Sequence, residues 1–510
     1  MIGRSLSKIE QFVLQQKLLL ILLFVTFLVR LPSLYEPFWY GDEGVYMAVA
    51  QGLERGQALY SGVFDNKPPA IFLLAAASIK FFGLTIWSFR FVLMIWVLVS
   101  IIAIYFLGRK MFGNRGGLIS ASVYAALTAT PFLEGNIANA EIFMALPITL
   151  GFLVGLNKNY FLSGILFSLA VLFKFPAVFD FGAFFLFTLL LITFKNPLEC
   201  VKNLGVLTLG FIFPIAATVL YFVINGHFNY FVNATLFGNV NYVDYGNRYI
   251  IPNGLLVFKF LPSLLLFSAL LIWRFAPQIS SFRFFIKRPL EVDFNVLLSL
   301  WFMLSLYGAS FGGRDFPHYL IQSLPAASFL ICSIIIGQHR RMSILLLSIG
   351  MALILLFGFR TQYFRANYYP NFVKYATGQM RFDQWAAFFD AKTPRNYALA
   401  AYLRESNGEN QSRTKVTDRI YIWANEPQIY FLANRLSPTR FVTAYHVVTK
   451  DVQMEVVNDL IEKPPLYILV ERPKPHSFPE LDTLLKRGYN FVGITENVEF
   501  YRLSENSSPL

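Results

Sequence analysis

Long apolar runs constrain the fold of this chain more than any other sequence feature. A membrane-spanning helix needs roughly 20 apolar residues, and about eleven runs approach that length. They cover residues 14–34, 87–107, 116–133, 141–156, 160–174, 177–194, 204–224, 254–273, 294–311, 319–337 and 343–359. Only 14% of the 510 residues are charged, whereas a soluble domain carries about 25%. The sequence therefore predicts an all-α polytopic membrane bundle.

The run over residues 160–194 is too long for one span. As a single helix it would extend about 52 Å, and the hydrocarbon core of a bilayer is about 30 Å thick. Lys174-Phe175-Pro176 is its polar, helix-breaking position. We expect the chain to turn there.

Basic residues indicate the orientation of the bundle. Arg4, Lys8 and Lys17 precede the first run, and Arg30-Leu31-Pro32 follows it in place of a small-residue cleavage site, so we expect a retained span. With a cytoplasmic N-terminus, Lys and Arg are in clear excess in the inside loops. An odd number of spans then places the C-terminus outside the cytoplasm.

The net charge of +13 does not indicate nucleic-acid binding. The basic residues are spread between apolar runs and do not form one patch or tail, so anionic lipid headgroups or a phosphate-bearing lipid are the expected partners. Cys200 and Cys332 lie in or beside apolar segments without disulfide or metal-ligand spacing, and we expect them to be packing residues.

The first extracytoplasmic loop, residues 35–86, concentrates polar residues at one edge of the bundle. An apolar stripe predicts a helix at about 43–55, and the short apolar stretch 68–83 predicts an interfacial or re-entrant helix. The loop also contains Asp42-Glu43 and Asp65-Asn66-Lys67. Charged groups are costly inside a membrane and usually line a cavity or reach its surface.

The composition changes near residue 360. We expect a transmembrane module over residues 1–359 and an extracytoplasmic α/β domain over residues 360–510. The predicted strands are 418–424, 465–471 and the segments YNFVGI and VEFYRL, with helices at 426–435 and 478–488.

Further polar clusters fall in later outside loops. They are Glu134, Asn136, Asn139 and Glu141, then Lys174, then Arg314, Asp315, His318, Tyr319 and Gln322. Several of these residues also have an ordinary structural explanation. Asp42 could be a helix N-cap, with Glu43 favoured by the helix dipole, and Asp65 and Asn66 could be turn residues. Lys67 and Arg314 could contact lipid headgroups, and His318 could be a hydrogen-bonded interfacial histidine. These explanations leave open why all the clusters fall on one predicted side.

Five motifs carry a family resemblance. They are Asp42-Glu43 followed by Tyr46, the stretch from Phe64 to Pro69, Asn139-Ala140-Glu141, Lys174 before Pro176, and Gly313-Arg314 with His318-Tyr319. In order and predicted sidedness they resemble the bacterial GT-C membrane glycosyltransferases of the protein-O-mannosyltransferase-like group, which includes the lipid A aminoarabinose transferases. The resemblance covers roughly residues 37–325 and implies a protein of the bacterial inner membrane.

The resemblance also implies a reaction and its residues. The donor would be a polyprenyl-phosphate-linked sugar, with Asp42 as general base toward an acceptor hydroxyl. Glu43 and Glu141 would assist or position the acceptor. The donor phosphate would be bound by Lys67, Arg314, His318, Tyr319 and, as a weaker candidate, Lys174, and the acceptor or the loop would be supported by Asp65, Asn66 and Asn139.

A divalent metal such as Mg²⁺, Mn²⁺ or Zn²⁺ is a further expectation, with Asp42, Glu141 and His318 as candidate ligands, although no spacing is diagnostic of one metal. The alternative function is a transporter or flippase for a lipid-linked or anionic substrate. Transporters usually contain internal repeats and broken helices in matching halves, and this sequence has neither. A purely structural scaffold is a third reading, in which Asp42 and Lys67 are unrelated surface residues.

Overall fold

The computed structural model describes residues 2–192, 197–238, 294–312, 314, 316–338, 340–357, 366–404, 406–407, 411–412 and 418–504. Helices dominate this part of the chain, as the apolar runs predict. The predicted span over residues 254–273 lies outside the described residues.

Eighteen α-helices are numbered in chain order over the described residues. They are α1 Ile2–Arg30, α2 Gly41–Glu54, α3 Ala70–Phe82, α4 Ile86–Thr128, α5 Ala140–Gly155, α6 Tyr160–Phe173, α7 Val178–Ile192, α8 Pro197–Ile224, α9 Phe228–Val232, α10 Phe294–Ser310, α11 Leu324–Ile336, α12 Arg340–Phe357, α13 Tyr368–Ala376, α14 Phe382–Phe389, α15 Thr393–Arg404, α16 Gln428–Ala433, α17 Lys450–Glu462 and α18 Pro479–Gly488. The helices predicted near 43–55 and 68–83 correspond to α2 and α3 and are confirmed.

Four helical segments are long and apolar enough to cross a membrane by length and composition: Leu14–Tyr35, Ile86–Thr128, Leu198–Ile224 and Pro317–Ile336. Shorter apolar helices are Ala70–Phe82, Ala140–Gly155, Tyr160–Phe173, Phe175–Leu189 and Phe294–Ser310. An integral membrane protein is therefore supported, and the count of eleven spans stays a prediction.

Two predicted interruptions of the apolar runs are present. A 3₁₀ turn, Phe175–Ala177, separates α6 from α7, as Pro176 requires. Helix α4 contains a break at Gly113, whose φ of 76° lies in the left-handed region that glycine tolerates. This break separates the runs predicted at 87–107 and 116–133.

The strands all lie in the C-terminal part of the described chain. They are β1 Ser406–Asn407, β2 Gln411–Ser412, β3 Ile420–Trp423, β4 Tyr467–Glu471, β5 Tyr489–Thr495 and β6 Val498–Leu503. Strands β1 and β2 pair antiparallel, and the other four form a sheet in the order β3-β4-β6-β5. The β3–β4 pair is parallel and the rest are antiparallel. The predicted α/β character of this segment is confirmed.

The chain divides into two compact units. The helical unit comprises Met1–Leu31, Leu93–Tyr221 and Gly238–Ala366, and the loop–sheet unit comprises Pro32–Val92, Phe222–Phe237 and Asn367–Leu510. The first-loop residues thus cluster with the C-terminal residues. The domain division expected at residue 359 stays a prediction.

Aromatic packing and one buried carboxylate join helices within the helical unit. Trp301 of α10 stacks on Phe152 of α5 with ring centroids 3.9 Å apart. The Trp301 Nε1–H also donates to Asp180 Oδ1 of α7 at 2.8 Å, and Gln322 Nε2 donates to Asp180 Oδ2 at 2.7 Å. Because Asp180 is fully buried, these bonds offset the cost of removing it from water.

The core of the loop–sheet unit lies against β3 and β4. All four residues of β3 and all five of β4 are buried, as expected for a parallel pair covered on both faces. Helices α17 and α18 supply apolar side chains to this core, among them Leu460 and Leu485. Helix α16 packs against α2 of the first loop.

Candidate functional site

Asp42 lies in the first turn of α2 and is partly accessible. Tyr40 is the N-cap residue, with φ −84° and ψ 128°, so the reading of Asp42 as the helix cap is wrong. The Asp42 side chain is 32% exposed. The N-terminal end of the helix dipole favours its negative charge.

Lys67 lies between two carboxylates of the loop–sheet unit. Its Nζ is 3.5 Å from Asp42 Oδ1 and 3.3 Å from Asp65 Oδ2. The ammonium is also 5.1 Å from the centroid of the Tyr46 ring, a distance at which the ring face attracts a cation. The structure thus brings together Asp42, Asp65 and Lys67, which the sequence singled out, and we call them the first-loop cluster.

Burial and pairing oppose each other in this cluster. Burial alone would raise the pKa of Asp65, but Lys67, then His446, then the Asn66 backbone together hold that pKa well below its usual range. Burial would lower the pKa of Lys67, but Asp42 and Asp65 raise it well above its usual value. Asp65 and Lys67 are therefore ionised at neutral pH.

The backbone around Lys67 is fixed by residues of the same unit. The Tyr60 hydroxyl donates to the Lys67 carbonyl at 2.8 Å. Arg440 Nη1 donates to the Tyr60 carbonyl at 3.0 Å, and the Phe64 N–H donates to the Arg440 carbonyl at 2.9 Å. These bonds tie the 60–67 segment to the C-terminal residues.

Glu43 is held by a buried arginine. Arg90 Nε and Nη2 donate to its two carboxylate oxygens at 2.8 and 2.6 Å, and both side chains are 1% exposed. Arg90 also donates to the carbonyls of Ser33, Glu36 and Pro37. Glu43 therefore anchors α2, while neighbouring Asp42 remains partly accessible. Arg90 lies near the start of an apolar run. Charged residues are rare in such runs, and this was the sequence signal by which Arg90 could have been singled out.

His446 is a site residue that the sequence did not indicate. Its Nε2 lies 3.3 Å from Asp65 Oδ1, and its side chain is 9% exposed. The residue belongs to a short 3₁₀ turn, Ala444–His446, after β3. A single histidine flanked by Tyr445 and Val447 carries no pattern that would have revealed it.

A second polar cluster lies in the helical unit, and all five of its residues were singled out in the sequence. His318 Nδ1 is 2.9 Å from Glu134 Oε2, and its Nε2 is 3.7 Å from Glu141 Oε1. Lys174 Nζ forms an ion pair with Glu141 and lies 3.8 Å from the centroid of the Tyr319 ring. The three residues Glu134, Glu141 and His318 are almost fully buried, and Lys174 supplies a positive charge beside Glu141, as a buried carboxylate requires.

Two amides next to this cluster are also buried. Asn136 is 4% and Asn139 is 0% exposed, and within the described part of the chain their carboxamide atoms have no hydrogen-bond partner. A buried polar group without a partner costs about 1–3 kcal/mol. Arg314, which precedes His318 in the sequence, is half-buried. Gly313 and Asp315 lie outside the described residues.

The described residues do not fit the expected metal site. Among them, no group of three or more His, Cys, Asp or Glu side chains is arranged to hold a metal ion. Glu141 is paired with Lys174, and His318 contacts Glu134. No chemical step is therefore assigned to a metal.

Family models match two segments of the chain. Residues 66–222 match the family described as dolichyl-phosphate-mannose-protein mannosyltransferase. Residues 398–503 match the family described as a competence-induced protein Ccs4 C-terminal domain. None of the curated proteins matches the chain.

A solved structure with a similar fold extends the likeness to nearly the whole chain. The crystal structure of ArnT from Cupriavidus metallidurans bound to undecaprenyl phosphate has a TM-score of 0.53 and 13% identity and covers 98% of both chains. An Archaeoglobus fulgidus oligosaccharyltransferase in complex with Zn and sulfate has a TM-score of 0.44 and 14% identity, over 96% of this chain and 73% of that one. The ArnT match shows that the chain has the same GT-C fold, and together with the mannosyltransferase family model it confirms the resemblance to the GT-C mannosyltransferase-like group.

Proposed function

We propose that this GT-C protein transfers a sugar from a polyprenyl-phosphate-linked donor to an acceptor hydroxyl at the extracytoplasmic face of the bacterial inner membrane. The observation that carries the proposal is the first-loop cluster: a partly accessible carboxylate, Asp42, lies 3.5 Å from an ammonium group, Lys67. Such a transfer uses a base for the proton of the acceptor hydroxyl and a cation for the charge of the leaving phosphate, and this pair of residues supplies both.

In the proposed reaction the acceptor oxygen attacks the anomeric carbon of the sugar. Asp42 accepts the hydroxyl proton, and the bond between the anomeric carbon and the phosphate oxygen breaks. The products are the glycosylated acceptor and polyprenyl phosphate. General-base catalysis of this kind contributes about 10²–10⁴-fold.

Lys67 supplies the charge that the leaving group requires. The phosphate gains negative charge as its bond to the sugar breaks, and a fixed ammonium stabilises that charge more in the transition state than in the ground state. The backbone bonds around Tyr60 and Phe64 support this role because they limit the movement of the loop that carries Lys67.

The helical-unit cluster has a proposed supporting role. Lys174, Arg314, His318 and Tyr319 remain proposed donor contacts, and Glu141 and Asn139 remain proposed acceptor or loop supports. The buried amides of Asn136 and Asn139 suit a ligand with several hydroxyl groups, since each carboxamide both donates and accepts hydrogen bonds.

We further propose eleven spans, a cytoplasmic N-terminus and an extracytoplasmic C-terminal domain.

The test uses the purified protein in lipid nanodiscs. Radiolabelled polyprenyl-phosphate sugars are supplied with an envelope extract as acceptor, and the release of polyprenyl phosphate is measured because it is common to every sugar. Acceptor-dependent release supports the proposal. In vesicles, movement of the intact donor across the membrane without cleavage would instead support a flippase. Mass spectrometry of envelope glycolipids and glycans with and without the protein would identify the acceptor.

A further inference from the structure

The charges of the first-loop cluster do not by themselves suit an anionic ligand. The cluster contains one lysine and two aspartates, so its net charge is negative when all three groups are ionised. Lys67 is the group of this cluster that attracts a phosphate, so another donor that shares one carboxylate with Lys67 favours phosphate binding. Asp65 is the carboxylate in question, because its side chain is only 1% exposed and solvent cannot screen it.

His446 is the group that faces Asp65. Its Nε2 lies 3.3 Å from Asp65 Oδ1, and both atoms are buried without a hydrogen bond that meets the usual geometry in the described part of the chain. On the other side of the ring, Thr443 Oγ1 is 3.1 Å from Nδ1. A nitrogen lone pair facing a carboxylate at this distance would be repelled, so Nε2 carries the hydrogen and the Thr443 hydroxyl can donate to Nδ1.

The C-terminal residues hold this imidazole firmly. The Ala444 N–H donates to the Ala424 carbonyl at 3.0 Å, next to the end of β3. The Phe64 ring packs edge-on against the His446 ring with centroids 5.1 Å apart. Phe64 directly precedes Asp65, so the same contact aligns the loop and the histidine.

Building on the proposed function, we propose that His446 is a positioning residue for donor-phosphate binding. Its Nε2–H shares the Asp65 carboxylate with Lys67, which weakens the hold of Asp65 on that ammonium and keeps Lys67 available to the phosphate. Through this residue the C-terminal α/β segment becomes part of the donor site. Without His446, the buried Asp65 carboxylate would depend on Lys67 for compensation and would hold that ammonium away from the phosphate.

The experiment measures the Kd of undecaprenyl phosphate for the full-length protein in nanodiscs. His446→Phe keeps the ring packing against Phe64 but removes both nitrogens, and we expect binding to weaken about tenfold, which is ~1.4 kcal/mol. His446→Gln replaces Nε2–H with an amide donor and should restore most of the affinity. His476→Phe is the matched control, since His476 contacts the Val447 carbonyl and no charged group of the cluster; its Kd should be unchanged.

A double-mutant cycle with Lys67→Ala separates the two hypotheses. We expect Lys67→Ala to weaken binding and to abolish the additional effect of His446→Phe, because coupled residues are not additive. Two outcomes would overturn only the positioning role of His446. In the first, His446→Phe weakens binding equally with and without Lys67. In the second, His446→Phe leaves the Kd unchanged although Lys67→Ala weakens binding. An unchanged Kd in Lys67→Ala overturns the phosphate role of Lys67 and the inference with it.

A folding defect would not leave the inference undecided. Thermal unfolding of each variant is recorded beside its Kd. If His446→Phe does not fold, Thr443→Val removes the hydroxyl that orients the ring and leaves the imidazole in place. It should weaken binding by a few-fold, and an unchanged Kd in this folded variant would overturn the proposed orientation and role.

Discussion

Asp42→Asn separates a catalytic from a structural role of the first-loop acid. The change keeps the size of the side chain and removes its charge and its ability to accept a proton. Because Tyr40 is the N-cap of α2, no cap is lost. The change therefore removes only two small electrostatic contributions to stability, the contact with Lys67 and the interaction with the helix dipole.

The expected loss of stability is small. The side chains of Asp42 and Lys67 are 32% and 14% exposed, and Lys67 keeps its contact with Asp65 in the variant. The lost contact is therefore expected near the upper end of the about 0.2–1 kcal/mol that exposed pairs contribute. A charge in the first helical turn contributes about 0.3–1 kcal/mol. Together they predict a loss of about 1–2 kcal/mol, too little to unfold a folded protein.

The expected loss of turnover is much larger. Removal of a general base lowers the rate by about 10²–10⁴-fold, equivalent to about 3–5 kcal/mol of activation free energy. The assay measures release of polyprenyl phosphate from a polyprenyl-phosphate sugar, and the Kd of undecaprenyl phosphate is measured in parallel. We expect kcat to fall and the Kd to stay within a few-fold of the wild-type value.

Asp451→Asn is the matched control because Asp451 is an exposed acid in the first turn of α17. It changes the same kind of helix-dipole interaction and should leave turnover intact. Near-normal turnover in a folded Asp42→Asn protein would refute the reasoning, and the base would then lie elsewhere, with Glu141 the next candidate.

Three further predictions concern topology and stability. A reporter fused after Leu510 should be active only outside the cytoplasm; activity of a cytoplasmic reporter there would overturn the orientation. Burial raises the pKa of Glu36 from 4.5 to about 7, although Arg90 opposes the shift. Because the folded carboxyl binds its proton more tightly than the unfolded one, the unfolding free energy should fall by about 3 kcal/mol as pH rises through this interval. Glu36→Gln should flatten this pH dependence, measured by thermal unfolding. Arg90→Met leaves Glu43 as a buried, unpaired charge and should cost about 3–5 kcal/mol, with much of it recovered by adding Glu43→Leu; an unchanged unfolding temperature in the single variant would contradict the anchoring role.

Local patterns were sufficient to predict much of the fold. The helices α2 and α3, the turn at Lys174-Phe175-Pro176 and the strands β3 and β4 follow from apolar periodicity, proline chemistry and chain length. Each of these properties depends on neighbours within a few residues, which is why the sequence reports them. The motifs from Asp42 to Tyr319, in their order and predicted sidedness, likewise carried the GT-C resemblance before any contact was known.

The partners of the buried charges were decided only by the tertiary structure. Periodicity identifies which face of an element is buried, but it does not identify which distant polar group meets it there. Burial requires that Glu43 and Asp65 find compensation, yet nothing local selects Arg90 for one or His446 for the other. Those choices depend on how α2 and the 60–67 segment pack within the loop–sheet unit, where side chains from opposite ends of the sequence come within hydrogen-bond distance.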